Sequence, residues 1–227
     1  MRSSRWDAQG NIYLVTEEPQ TAESVRTEVG PADGILEVLG CGDDWVEIAI
    51  WNPDGSTAEM SGNGTRIAAR WLAERSGAAE VTVRVGPREV AARLLPDGWV
   101  EQDLGDVVVS APEEIDGLRF VAVDVGNPHA VVEGDPADLP RIGPALESHP
   151  RFPQRTNVQV ARSVGDGVLE ARVWERGAGE TASSGSSAVA VAAAFRMSPA
   201  VVRFPGGELH VRLEGARAFL TGPAVPA

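Results

Sequence analysis

Ser61 and Ser184 each stand just before a glycine and an apolar run, in "EMSGNGTRIAARW" and "TASSGSSAVAVAAA". A serine so placed reads as a helix N-cap, with the N–H groups of the first turn open at the positive end of the helix dipole. Such a start accepts a carboxylate, and the glycine after each serine lets a ligand approach the backbone closely. Capping alone would explain either serine. Two such starts in one chain could instead hold one amino acid by its α-carboxylate and present its Cα–H between two hydroxyls on opposite faces. That is the geometry of a two-base epimerase, in which one group removes a proton and the other delivers one. The N–H groups would stabilise the charge that builds on the carboxylate. Serine is the difficulty, because its hydroxyl is a far weaker acid than a thiol and a poor base unless assisted.

Other residues offer polar walls for a zwitterion. Asn11, Asn52, Asn127 and Asn157 lie beside glycine or at strand ends, where asparagine serves turn geometry or ligand binding equally well. Glu175 and Arg176 form either a solvated pair or a recognition pair for an ammonium and a second carboxylate. His129 follows Pro128 and reads as structural, with assistance to proton transfer as the other role.

The elements that must position these residues are mostly strands. Alternating segments run over Ile12–Val15, Trp45–Trp51, Glu80–Val85, Trp99–Leu104, Leu118–Val123, Val168–Trp174 and Glu208–Leu213, between Gly, Pro and Asp turn signals. Helices are expected from about Gly62 to Arg75, closing at Gly77, and from about Gly185 to Met197, stopping before Pro199. The fold class is therefore α+β. Trp51, Asn52, Ser61 and Gly62 recur as Trp174, Glu175, Ser184 and Gly185 at an offset of 123 residues, and "GNIYLV" recurs as "GNPHAVV" at 116. This pattern implies a duplicated half, with the site expected in the cleft between the copies. The acidic, turn-rich "SAPEEIDG" at Ser110–Gly117 is the expected boundary.

Composition removes several classes of chemistry. The chain has 227 residues, 43% of them hydrophobic, enough for one large domain or two small ones. A net charge of −13 with no basic run argues against nucleic acid. All 20 basic residues are arginine, so a pyridoxal-phosphate lysine Schiff base is excluded. The single cysteine, Cys41, rules out an internal disulfide and any mechanism using two thiols, and the three histidines lack metal-ligand spacing. Neither a signal peptide nor a membrane span is legible, so a cytoplasmic protein without cofactor or metal is expected.

Taken together, "GN" at Gly10, "ADGIL" at Ala32, "NPDGS" at Asn52, "SGNGTR" at Ser61, "GNPHAV" at Gly126, "LESHPRFPQRTNV" at Leu146, "ERGAGET" at Glu175 and "LTGPA" at Leu220 resemble the diaminopimelate epimerase family. The resemblance implies a cofactor-independent amino-acid epimerase of lysine and peptidoglycan precursor synthesis. It also implies a pseudo-symmetric pair of domains, each a strand barrel around a central helix, with a homodimer as the assembly. On that pattern residues 1–112 form the first half, joined by a returning strand at about 215–227, and residues 113–214 form the second. The substrate's distal end would meet Asn52, Asn157, Glu175 and Arg176, with Asn11 and Asn127 lining the pocket. The reacting carboxylate would meet Gly62, Asn63, Gly185 and Ser186. The departure is at the two catalytic positions, where the family carries the thiols of "CGNG" and "CGTG" and this chain has Ser61 and Ser184. Two rival expectations follow: a same-fold isomerase or dehydratase working through a single carboxylate, and a catalytically silent amino-acid binder.

Overall fold

The computed structural model describes residues 3–227. Contacts divide the chain into two compact units, one running to Asp103 and rejoined by Thr221–Ala227, the other Leu104–Leu220. The first holds β1 (Ser3–Asp7), β2 (Ile12–Thr16), α1 (Ala22–Glu28), β3 (Gly34–Cys41), β4 (Trp45–Trp51), β5 (Thr57–Ala58), α2 (Gly62–Ser76), β6 (Glu80–Val85), β7 (Arg88–Leu94) and β8 (Trp99–Asp106), whose last residues pass the division. The second contains β9 (Val108–Ile115), β10 (Leu118–Asp124), β11 (Pro128–Glu133), α3 (Leu139–Glu147), β12 (Asn157–Gly165), β13 (Val168–Glu175), β14 (Gly179–Thr181), α4 (Gly185–Ala194), β15 (Ala200–Phe204) and β16 (Gly207–Glu214). Two strands end the chain, β17 (Arg217–Pro223) and β18 (Val225–Pro226), and β18 pairs with β1. The protein is thus α+β and mostly strand.

In the first unit β1–β2 is antiparallel, β2–β3 parallel, β3–β4 antiparallel, β4–β6 parallel and β6–β7 antiparallel, with β5 added to β4. The second unit repeats that sequence in β10–β11, β11–β12, β12–β13, β13–β15 and β15–β16, with β14 added to β13. Each parallel step needs a crossover. α1 and α3 supply the first in each unit, and α2 and α4 the second.

The two longer crossovers start at the serines and differ in how they end. α2 is buried from Asn63 to Ala69 and closes at Gly77, which is left-handed at φ 78° and donates its N–H to Ala73 O. α4 is apolar all round and buried among Leu169, Val173, Val202 and Leu209, the expected fate of a helix without a polar face. It ends at Ala194, three residues before the expected Met197. Arg196 adopts φ 53°, its N–H bonds Ala193 O, and the Met197 N–H bonds Ala192 O. That is a Schellman termination with arginine where glycine usually stands, so no glycine marks where the helix stops ahead of Pro199.

The boundary also differs from the expectation. Ser110–Ile115 are the outer part of β9, of which Pro112–Ile115 pair with β10 beyond a register shift, and Asp116–Gly117 form the hairpin turn at φ 51° and 77°. The acidic stretch is therefore an exposed strand of the second unit, and the contact division falls at Leu104 rather than near residue 113. Helices α1 and α3 were not legible. α1 has seven residues and buries only Val25, and α3 carries Pro140 and Pro144.

Candidate active site

Within the first unit the chemistry gathers at the start of α2. Ser61 has extended backbone, and its Oγ accepts from the Gly64 N–H at 3.0 Å. Gly64 allows this contact: a Cβ there would lie 3.1 Å from Leu36 Cδ2 and 3.3 Å from Ser61 Oγ. The Tyr13 hydroxyl sits 3.3 Å from the same Oγ. Asn63 donates from Nδ2 to Asn11 Oδ1 at 3.1 Å, joining two expected pocket residues. Arg66 holds Asn63 in turn, donating from one terminal nitrogen to Asn63 Oδ1 at 2.9 Å and from Nε to Pro223 O at 2.9 Å.

Arg66 is fully buried, and its other terminal nitrogen has no hydrogen-bond partner among the described residues. Burial lowers the guanidinium to about 10, which leaves it charged at neutral pH. Gln102 lies behind the same turn, with its amide assigned so that Nε2 donates to Gly62 O and Oε1 accepts from the Arg66 N–H, both at 3.0 Å. No acidic residue lies in the first turn of α2. The helix start is therefore positive by its dipole and by a buried cation.

The second unit has a parallel arrangement at α4. Ser184 is the N-cap residue, buried and extended, but its side chain makes no cap bond. Gly185 and Ser186 open the helix. Ser187 Oγ accepts from Gln159 Nε2 at 2.9 Å, the same amide lies 3.0 Å from His129 Nδ1, and His129 Nε2 lies 2.9 Å from Asn127 Oδ1. This pattern assigns the proton to Nε2, donating to Asn127. Burial, with the nearby Arg176 charge adding in the same direction, pushes His129 down to about 3 against the Gln159 hydrogen bond. The imidazole is therefore neutral near pH 7 and acts as a brace for Asn127.

The remaining expected residues cluster on the loop after β13. Asn157 donates to Pro128 O at 2.9 Å and accepts from the Arg176 N–H at 3.0 Å, tying the Asn127 loop to the Glu175–Arg176 loop. Glu175 Oε1 accepts from the Thr181 hydroxyl at 2.6 Å. Beneath them lies Glu147, which accepts from the Trp174 indole at 2.8 Å, the Gly177 N–H at 2.8 Å and Arg155 at 2.5 Å. Sequence reasoning missed Glu147. No motif marks it: Trp51, the counterpart of Trp174, also donates to a buried carboxylate at 2.8 Å, but that carboxylate is Glu37 on β3, whereas Glu147 lies on α3.

The structure gathers Asn11, Gly62 and Asn63 around Ser61, and separately gathers Asn127, His129 and Asn157 with the Glu175–Arg176 loop. Asn52 is used in its own turn: its Nδ2 donates to Ser56 Oγ at 3.0 Å, and its backbone bonds Ser56 O and the Gly55 N–H. Cys41 ends β3 and is exposed. Among the described residues no helix is long and apolar enough to cross a membrane.

Comparison with known proteins decides the family. The sequence profile described as diaminopimelate epimerase matches residues 121–226. A diaminopimelate epimerase from Synechococcus sp. (strain JA-3-3Ab) is 37% identical over 94% of this chain and 87% of its own length. The chain belongs to the diaminopimelate epimerase family. A second member, from Thermobifida fusca, is 45% identical over 77% of this chain and 68% of its own length. Solved structures extend the likeness in fold alone. A hydroxyproline epimerase from Agrobacterium vitis superposes with a TM-score of 0.69 at 16% identity, covering 99% of this chain and 88% of its own. A phenazine biosynthesis protein from Bacillus anthracis gives 0.75 at 14%, covering 99% and 96%.

Proposed function

We propose that the protein interconverts LL- and meso-diaminopimelate by two-base proton transfer at Cα without a cofactor, Ser61 serving one face and Ser184 the other. The observation that carries this reading is that each serine is the N-cap residue of a buried helix, at the same point of a repeated strand-pairing order. Family relatives named diaminopimelate epimerase supply the substrate. The identical pairing order also supports a pseudo-symmetric pair of strand barrels, each around its longer helix. A cytoplasmic homodimer acting on a small amino acid belongs to the same reading and is supported by family resemblance.

In this mechanism the first turns of α2 and α4 hold the α-carboxylate, with Gly62, Asn63, Gly185 and Ser186 as its contacts. When the Cα–H bond breaks, the electron pair spreads into that carboxylate, and the helix starts with the buried Arg66 charge stabilise it. Asn11 and Asn127 line the pocket, held by Asn63–Arg66 and by His129–Gln159. Asn52, Asn157, Glu175 and Arg176 hold the distal amino-acid end, which a substrate with two such ends requires.

Proton NMR with LL-diaminopimelate in D₂O tests the reading by following loss of the α-proton signal together with appearance of the meso isomer. Exchange with inversion, lost in both Ser61→Ala and Ser184→Ala, is the expected result. A bound substrate that neither exchanges nor inverts would leave a silent binder. Activity retained in both alanine variants would move the proton to a single carboxylate.

A further inference from the structure

We propose that Tyr13 is a catalytic acid–base group at the Ser61 face, exchanging a proton with the Ser61 hydroxyl as that hydroxyl exchanges one with the substrate Cα. The inference rests on Ser61 being a reacting group, as read above, and supplies what a serine lacks. A serine hydroxyl has almost no tendency to ionise near neutral pH, whereas a phenol ionises near 10. The Tyr13 hydroxyl lies 3.3 Å from Ser61 Oγ, and catalytic hydrogen bonds are often this long before substrate closes the site. Oγ already accepts from the Gly64 N–H at 3.0 Å, so the lone-pair side of the serine is fixed and its hydroxyl is directed elsewhere.

The placement of the ring is built into the sheet. Tyr13 pairs with Gly34 on β3, and a Cβ at position 34 would lie 2.6 Å from Tyr13 Cε1. Only glycine there lets the ring lie across β3 towards α2, and the ring is 7% exposed. The second unit has no such group. At the corresponding position, 116 residues on, stands His129, whose two nitrogens face Asn127 and Gln159 and not Ser184.

With Tyr13 as phenolate, the Cα–H bond breaks, its proton goes to Ser61 Oγ, and the Ser61 hydroxyl proton goes to Tyr13 Oη. Serine is regenerated, and the charge that began on the phenolate ends on Cα and its carboxylate. Ser184 then gives its proton to the opposite face, and solvent water resets the pair by taking one proton from Tyr13 and returning one to Ser184. In the reverse direction the Tyr13 O–H reprotonates Ser61 Oγ while the Ser61 hydroxyl protonates Cα.

Four charges on the elements around Tyr13 have partners of their own. Asp7, the last residue of β1, accepts from the Gly10 N–H, and Asp33, before β3, from the Ile12 N–H. Glu37 on β3 holds the Trp51 indole, and Arg66 on α2 holds Asn63. Arg5 lies opposite Leu14 on β1.

The test is a two-by-two set: wild type, Tyr13→Phe, Ser61→Cys and the double variant, each assayed for α-proton exchange and inversion of diaminopimelate across pH. Phenylalanine keeps the ring packing, and thermal melting reports folding. Tyr13→Phe is expected to lower kcat by about 100-fold or more, the usual weight of an acid–base group, with KM little changed and the alkaline rise in rate lost. In the Ser61→Cys background the penalty is expected to shrink at least tenfold, because a thiol ionises near 8.5 unaided. Equal losses in both backgrounds would make Tyr13 a packing residue and overturn the proposal, and an unchanged kcat in Tyr13→Phe would do the same while leaving the serine reading intact. Absence of exchange in the wild type would remove the serine reading and the Tyr13 role together.

Discussion

Replacing His129 by glutamine should make the protein more resistant to acid, and the size of the effect follows from burial. The imidazole is 1% exposed, and its proton affinity falls from an ordinary 6.5 to about 3. Between those two values the unfolded chain binds a proton that the folded chain refuses. His129 therefore costs nothing above pH 6.5, and stability drains away as pH falls from there towards 3. At about 1.4 kcal/mol per pH unit, the loss between pH 7 and pH 5 is roughly 2 kcal/mol from this one side chain. Glutamine does not titrate and still offers a donor towards Asn127 and an acceptor towards Gln159. Its own cost appears as a constant offset at both pH values. Urea unfolding of both proteins at pH 7 and pH 5 reads the difference, with His149 and His210 common to both and cancelling. The wild type should lose about 2 kcal/mol more than His129→Gln over that interval. Parallel pH dependences would mean that His129 is not held neutral by burial, and the brace assigned to Asn127 would fall with it.

Ser61→Ala and Ser184→Ala should both abolish epimerisation yet differ in stability. Ser61 makes a cap bond whose loss costs about 1 kcal/mol, and Ser184 makes none, so thermal melting should separate them. Glu147→Ala leaves the Trp174 indole and the Gly177 N–H without their acceptor, while the half-exposed Arg155 returns to water, and should cost about 2–3 kcal/mol in denaturant titration. Residual activity in that variant should show a raised KM, since the Glu175–Arg176 loop loses its support. Gly143→Ala puts a Cβ 2.8 Å from Cβ and Cγ of Trp174, and overpacking of about 1–3 kcal/mol is expected in the same assay.

The residues that open the two longer helices were legible because capping is local: Ser61 and Gly77 signal a start and a stop through bonds to near neighbours, and Ser184–Gly185 repeats the Ser61–Gly62 pair although Ser184 makes no cap bond. Strands such as Trp45–Trp51 and Glu80–Val85 matched their expected limits because alternation is also local. The Arg196 turn was missed because the left-handed position held no glycine. Ser110–Ile115 read as a linker because an exposed strand beside β10 has no apolar alternation to announce it.

The sequence by itself determined the repeat, the two helix starts, the excluded chemistries and the family, since each depends on residue types at fixed spacing. Tertiary structure alone decided what lies behind them. Arg66 and Gln102 behind the α2 turn, His129 and Gln159 behind Asn127, and Glu147 beneath the Glu175 loop are buried polar groups whose partners come from distant parts of the chain. A buried polar group is tolerable only when folding brings it a partner, and one-dimensional spacing does not record which partner arrives. Tyr13 beside Ser61 belongs to this second class: 48 residues separate them in the chain, and the sheet register opposite Gly34 brings them to 3.3 Å.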